Sequence, residues 1–173
     1  LMRFFFRRQL WHLVALAILV PIAWAFAAGA LEDGEWLGVP DTTWFWLAIG
    51  VAVLHQTLTW LVWRSQLLWS VWTRWFGRRD LVVWGAVFLP LLAARPLLIL
   101  ALAIADRGSL ALPAWVSAGL GLVLLVPSLY TLWSVARYFG IPRAMGGDHF
   151  RARYREMPLV REGAFAWNPN AMY

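Results

Sequence analysis

The chain has 173 residues, of which 62% are hydrophobic and only 14% are charged, with a formal net charge of +6. Soluble domains carry roughly 25% charged and about 45–50% apolar residues, so this composition predicts a membrane protein. All 15 basic residues are arginine and there is no cysteine, which excludes disulfides, thiolate metal ligands, cysteine nucleophiles and lysine Schiff bases. Because the arginines alternate with apolar segments, we expect membrane lipids, and no nucleic acid, as their partners.

Four apolar segments are long enough to cross a bilayer, which takes about 20 residues of helix. They are Leu10–Leu31, Thr43–Trp69, Leu81–Ala105 and Leu112–Ala136. The sequence therefore predicts an all-α membrane protein with four transmembrane helices in residues 1–137. Residues 138–173 are predicted to form a second part, a cytoplasmic interfacial helix followed by a turn.

The distribution of arginine predicts the orientation. Arginines cluster before the first segment, between the second and third, and after the fourth, whereas the other two connections carry acids or one balanced pair. The positive-inside rule then puts both termini in the cytoplasm of a multi-pass protein, which we expect in a bacterial inner membrane. The first segment also has features of a secretory signal peptide, but the apolar run of a signal peptide usually has only about 7–15 residues.

Polar residues interrupt the middle of two spans, with His55 and Gln56 in the second and Arg95 in the third. A charge at that depth costs at least about 2.5–3.5 kcal/mol, so Arg95 should face the interior and find acceptors. One interpretation is a polar cavity for a lipid headgroup or a carboxylate, with Arg95 binding the substrate. The other is an arginine bonded to backbone carbonyls freed by Pro90 and Pro96.

The end of the fourth span carries polar side chains at helical spacing. They are Ser128, Tyr130, Thr131, Ser134, Arg137 and Tyr138. This stripe predicts a pocket open to headgroups or hydrogen bonds to a neighbouring helix; we expect the pocket at Arg137 and Tyr138 and the hydrogen bonds at Thr131. Farther along, apolar residues at helical spacing over residues 148–157 predict the short interfacial helix, with Asp148 as its N-cap.

The final fifteen residues carry a family resemblance. Matching positions are Leu159, Val160, Gly163, Phe165 in place of a Tyr, and Met172-Tyr173. This run resembles the stretch Leu-Val-x-x-Gly-Pro-Tyr-Arg-x-x-Arg-His-Pro-x-Tyr of integral-membrane methyltransferases related to isoprenylcysteine carboxyl methyltransferase and the phospholipid N-methyltransferases. Four spans before a cytosolic turn also agree with that family. The chain departs from the family at Ala166 and at Pro169-Asn170-Ala171, which stands where the family has Arg-His-Pro.

The resemblance implies an enzyme that transfers a methyl group from S-adenosylmethionine to a lipophilic acceptor, such as an isoprenyl-cysteine carboxylate, a phospholipid amine or a related small lipid. The cofactor-binding residues that it implies are Leu159, Val160, Gly163, Phe165, Asn170 and Tyr173. Arg137 and Arg143 become candidates for binding the substrate, beside Arg95, and no catalytic residue is assigned. Family members continue into further helices, so we expect a fragment of a longer bundle.

Two other function classes stay open. A non-enzymatic membrane scaffold or lipid-binding protein is favoured by the missing Arg-His-Pro triplet. A transporter would need a mid-membrane path, for which His55 and Arg95 are the sole indication, and no inverted repeat is visible. His12, His55 and His149 lie on separate segments without metal-ligand spacing, so we expect no metal site.

Overall fold

The computed structural model describes residues 2–7, 9–31, 34–109 and 112–168. In chain order the α-helices are α1 (Met2–Phe5), α2 (Gln9–Ala27), α3 (Asp41–Trp69), α4 (Val71–Phe76), α5 (Asp80–Ala105), α6 (Ala114–Ser134), α7 (Ile141–Ala144), α8 (Gly147–Phe150) and α9 (Ala152–Arg155). Four helical stretches, containing α2, α3, α5 and α6, are long and apolar enough to cross a membrane. The prediction of a helical chain with four helices able to span a membrane is confirmed.

Shorter elements connect these helices. Strands β1 (Glu35–Trp36) and β2 (Val39–Pro40) form an antiparallel hairpin with Glu35 opposite Pro40. Two 3₁₀ helices cover Gly77–Arg79 and Gly163–Ala166, and one π-helix covers Val135–Phe139 directly after α6.

The chain divides into two compact units. The first unit contains residues 1–72 and 86–111, and the second contains residues 73–85 and 112–173. The start of α5 thus belongs to the second unit and the rest of that helix to the first. The predicted boundary between residues 137 and 138 stays a prediction.

In the first unit, polar contacts fix both ends of α3. The buried carboxylate of Asp41 accepts hydrogen bonds from the backbone N–H of Thr42 at 2.5 Å and of Gly34 at 3.0 Å, which joins the helix start to the hairpin. At the other end Ser70 takes a left-handed conformation with φ 53°, and its N–H donates to the carbonyl of Gln66. A left-handed residue that closes the last turn is a common way to end a helix.

In the second unit, a buried carboxylate joins α5 to the segment after α6. Asp80 is fully buried. Its carboxylate accepts hydrogen bonds from both terminal guanidinium nitrogens of Arg151, from the hydroxyl of Thr73 at 2.5 Å and from the N–H of Leu81 at 2.6 Å. One turn later the fully buried Trp84 donates its indole N–H to the carbonyl of Met145 at 2.8 Å. Residues 141–155 are therefore folded onto the start of α5.

The prediction of one continuous interfacial helix over residues 148–157 is wrong. The structure has two four-residue helices here, α8 and α9, separated by Arg151 in an extended conformation with φ −136° and ψ 130°. This break lets the Arg151 side chain reach Asp80. The predicted N-cap at Asp148 is also wrong, because α8 begins after the left-handed Gly146 and no side chain caps it.

We predict that Arg151→Met destabilises the second unit. Breaking a buried ion pair by removing one partner costs about 3–5 kcal/mol, and the cost here should fall near the lower end because Arg151 is 31% exposed. Tryptic cleavage after residue 155, during unfolding in detergent, measures this change.

Arg153→Met is the matched control, since within the described part of the chain the Arg153 guanidinium donates a hydrogen bond only to the exposed hydroxyl of Tyr154. We expect the control to unfold within about 0.5 kcal/mol of the parent protein, as surface changes usually do. Asp80→Asn combined with Arg151→Met should recover part of the loss, because no charge is then left buried alone. Equal effects of the two arginine changes would contradict a structural role for the ion pair.

Candidate functional site

The turn at Gly163 is fixed against the end of α6. Gly163 has φ +60°, and a Cβ atom there would lie 2.6 Å from the Ser134 hydroxyl oxygen and 2.8 Å from the Tyr138 ring. The next residue, Ala164, donates its N–H to that hydroxyl at 3.1 Å. Ser134 is fully buried and in turn donates to the carbonyl of Tyr130 at 2.8 Å. One hydroxyl therefore holds the turn to the span, and glycine is the residue that this close approach accepts.

An aromatic stack completes the attachment. The buried Phe165 ring stacks on Phe139 with centroids 5.4 Å apart and an angle of 14° between the planes. The Arg143 guanidinium lies 4.6 Å from the centroid of the Phe139 ring. It also donates to the carbonyls of Pro158 at 3.1 Å and Met157 at 3.4 Å. Arg143 thus fastens the segment of residues 157–162 that leads into the turn.

The π-helix places the residues of this stack. The N–H of Gly140 donates to the carbonyl of Val135 at 2.9 Å, five residues back instead of four. Such a widened turn is rare and is frequent at functional sites. Gly140, with φ +87°, then ends the helix and turns the chain toward α7.

Four aromatic rings gather beside the turn. Tyr130 stacks on Trp133 at 5.8 Å and lies 5.4 Å from Trp167, and Trp133 meets Tyr138 edge-on at 5.4 Å. Trp167 is 78% exposed and Trp133 is also exposed, so open ring faces remain. We call these four residues the aromatic cluster. Open aromatic faces can bind flat rings and cations.

The sequence-predicted site residues fall into distinct groups. The structure brings together Gly163, Phe165 and Arg143 through the contacts just described. Leu159 is exposed and Val160 is half-buried in the segment before the turn. Arg137 is exposed, and its guanidinium lies 5.7 Å from the centroid of the Tyr138 ring. Arg95 belongs to the first unit. Asn170 and Tyr173 lie outside the described residues.

Three hydroxyls of α6 donate to carbonyls of their own helix. Ser128 donates to the carbonyl of Leu124 at 2.7 Å and Thr131 to that of Pro127 at 2.9 Å, each one turn back. The expected hydrogen bond from Thr131 to a neighbouring helix is therefore wrong. Ser134 makes the same backward bond, but its oxygen also accepts the N–H of Ala164.

Two charged groups outside the spans have shifted pKa values. Burial opposes ionisation of Asp148, but the hydrogen bond with the His149 ring at 3.1 Å, a backbone hydrogen bond and the nearby charges of His149 and Arg155 together outweigh it, and the pKa of Asp148 falls below its ordinary value. Hydrogen bonding to Asp80 raises the pKa of Arg151. Within the described ranges, no three His, Asp or Glu side chains are grouped closely enough to hold a metal ion.

Sequence reasoning missed several residues that build the site. Ser134 was one of six stripe residues and carried no separate signal, and Phe139 carried none. Asp80 did carry a signal in the sequence, because it is the single acid among the arginines between the second and third spans. A lone acid in a cationic loop suggests an internal partner, but the sequence does not say which arginine pairs with it.

We predict that Gly163→Ala loosens the turn. An L-residue in the left-handed region costs about 1–2 kcal/mol, and the new methyl group would collide with Ser134 and Tyr138. Tryptic cleavage after residue 161 should therefore become faster. Gly119→Ala is the control, because nothing lies within 4 Å of a Cβ there and alanine favours a helix interior. Unchanged cleavage in Gly163→Ala would contradict the described packing.

Comparison with protein-family models, with curated proteins and with solved structures finds no match for this chain. The resemblance in residues 159–173 therefore stays a prediction from sequence. The roles that it implies for individual residues are proposals, and they rest on the geometry around Gly163 and α6.

Proposed function

We propose that this protein is an integral-membrane methyltransferase that holds S-adenosylmethionine beside the turn at residues 159–168. The attachment of this turn to the end of α6, through the Ala164–Ser134 hydrogen bond and the Phe165–Phe139 stack, carries the proposal. A rigid turn at the end of a span is a place where a water-soluble cofactor and a lipid-embedded acceptor can meet.

The chemistry suits such a location. In methyl transfer the acceptor oxygen or nitrogen forms a bond to the methyl carbon while the carbon–sulfur bond breaks and its electron pair returns to sulfur. Positioning the two reactants supplies much of the rate, and a site shielded from water protects a reactive sulfonium. Both demands favour a turn that is fixed by buried contacts.

The aromatic cluster supports the cofactor assignment. Its open rings can stack on the adenine base, and an aromatic face attracts a cation such as a sulfonium by about 0.5–2 kcal/mol. Trp167 directly follows the 3₁₀ helix at Gly163, so its exposed ring lies next to the turn.

The free arginine beside the turn supports a lipophilic acceptor with an anionic group. Arg143 already bonds to two backbone carbonyls, whereas Arg137 is exposed and contacts only the Tyr138 ring among the described residues. We therefore favour Arg137 over Arg143 for binding a carboxylate or phosphate of the acceptor. The positive-inside rule puts this arginine-rich side, and with it the active face, in the cytoplasm.

The proposal predicts that S-adenosylmethionine stabilises the purified full chain in detergent. Ligand at a hundred times its dissociation constant adds about 2.7 kcal/mol to the free energy of unfolding. Thermal unfolding with S-adenosylmethionine, S-adenosylhomocysteine or ATP measures this effect, and ATP should not reproduce it. Trp167→Ala should weaken the protection, whereas the matched change Trp75→Ala, at a tryptophan 73% exposed outside the cluster, should preserve it.

A failure would be informative. If neither S-adenosylmethionine nor S-adenosylhomocysteine shifts the unfolding temperature at saturating concentration, the methyltransferase proposal is overturned. The lipid-binding scaffold then becomes the better account of the same arginines and aromatic rings. Protection that Trp75→Ala removes as effectively as Trp167→Ala would reject the aromatic cluster as the cofactor site.

A further inference from the structure

A pair of buried polar side chains on α3 lacks partners in the described chain. His55 is 4% exposed and Thr59, one turn later, is 7% exposed. Among the described residues, the two ring nitrogens of His55 have no hydrogen-bond partner, and the hydroxyl of Thr59 has none either. A buried polar group left in this state costs about 1–3 kcal/mol, so native proteins almost always satisfy such groups.

Thr59 differs from three hydroxyl-bearing residues of α6. Ser128, Thr131 and Ser134 each donate to the carbonyl one turn back in α6. The Thr59 hydroxyl does not make this bond to the carbonyl of His55. It therefore keeps its donor for a group that lies outside its own helix.

The facing helix α5 supplies an apolar wall and a positive charge. The Phe88 ring meets the His55 ring nearly edge-on, with centroids 4.8 Å apart. Arg95, two turns farther along α5, lies within electrostatic reach of His55 and is half-buried. For its guanidinium the described residues offer no hydrogen bond and no ion pair. The expected bonds from Arg95 to proline-freed carbonyls are thus absent from the described part of the chain.

The chain holds no acid that could neutralise Arg95 from within the spans. No Asp or Glu occurs at residues 42–79 or 81–105. Arg95 is ten residues from the end of α5, about 15 Å along the axis, which is too far for its side chain to reach the headgroup layer. An uncompensated charge at this depth costs at least about 2.5–3.5 kcal/mol, so an anion from outside the chain is the physically favoured partner.

We propose that His55, Thr59 and Arg95 form an intramembrane site for the anionic head group of an amphiphile, a carboxylate or a phosphate. An N–H of His55 and the hydroxyl of Thr59 donate hydrogen bonds to its oxygens, and Arg95 supplies the counter-charge. The Phe88 ring contacts the apolar tail of the amphiphile next to its head group. A bound water molecule would satisfy His55 and Thr59 but would leave Arg95 without an anion, so water is the weaker account.

This site stands apart from the proposed methyl transfer. All of its residues belong to the first unit, and its ligand need not be the methyl acceptor. Binding can be measured without S-adenosylmethionine, so a failure here and a failure of the methyltransferase proposal are separate results.

Calorimetric titration of the purified full chain in an uncharged maltoside detergent tests the site. We expect decanoate or decyl phosphate to bind and decanol, which has the same tail and no charge, to bind at least about tenfold more weakly. Tighter binding of decanoate assigns the site to carboxylates, and tighter binding of decyl phosphate assigns it to phosphates. Equal binding of decanol and both anions would overturn the proposal.

Two matched substitutions locate the binding. Thr59→Val should weaken anion binding about tenfold, the value of one hydrogen bond to a charged group, whereas Thr131→Val should leave it unchanged. Thr59→Val should not lower the melting temperature of the ligand-free protein, because the lost hydroxyl had no partner in the described chain. Unchanged affinity in Thr59→Val would overturn the site.

Arg95→Gln tests the charge. We expect this variant to lose the preference for decanoate over decanol, while Arg107→Gln, at an exposed position beyond the end of α5, retains it. If Arg95→Gln does not fold, the Thr59→Val and Thr131→Val pair still decides the question. A preference for anions that survives in a folded Arg95→Gln protein would overturn the proposal.

Discussion

The buried Asp80 carboxylate is the constraint on which the second unit depends. It lies at the first residue of α5, where an ion placed out of water needs full compensation. Arg151, Thr73 and Leu81 supply that compensation, and Arg151 reaches it only because the chain is extended between α8 and α9. The ion pair thus determines the path of the chain after α6, and the Trp84–Met145 hydrogen bond holds the same two segments together one turn farther along.

The candidate cofactor turn depends on this path in a second way. Arg143 lies in the segment that Asp80 and Trp84 fix, and it donates hydrogen bonds to the carbonyls of the segment leading to Gly163. Ser134 and Phe139 then contact the turn at the end of α6. A series of contacts therefore connects a single carboxylate to the turn where we place the cofactor.

The first unit presents the opposite situation. Its buried Asp41 is satisfied by backbone N–H groups, whereas His55 and Thr59 have no hydrogen-bond partner within the described ranges and share the first unit with Arg95, which has no acidic partner there. A membrane protein carries such groups at a cost, since lipid offers no replacement for water. That cost is the reason for assigning a ligand to these residues and not only a structural role.

The sequence by itself determined the four helices that are long and apolar enough to cross a membrane, because length and apolarity are local properties. It also predicted a turn within the last fifteen residues and drew attention to Arg95 and His55. Tertiary structure decided the rest. The partner of Asp80, the double role of Ser134 and the break at Arg151 depend on residues 30 to 71 positions apart, and no local pattern encodes which of 15 arginines a carboxylate will meet. The helical pattern at residues 148–157 predicted one helix, but the chain is extended at Arg151, whose side chain pairs with Asp80 of a distant segment.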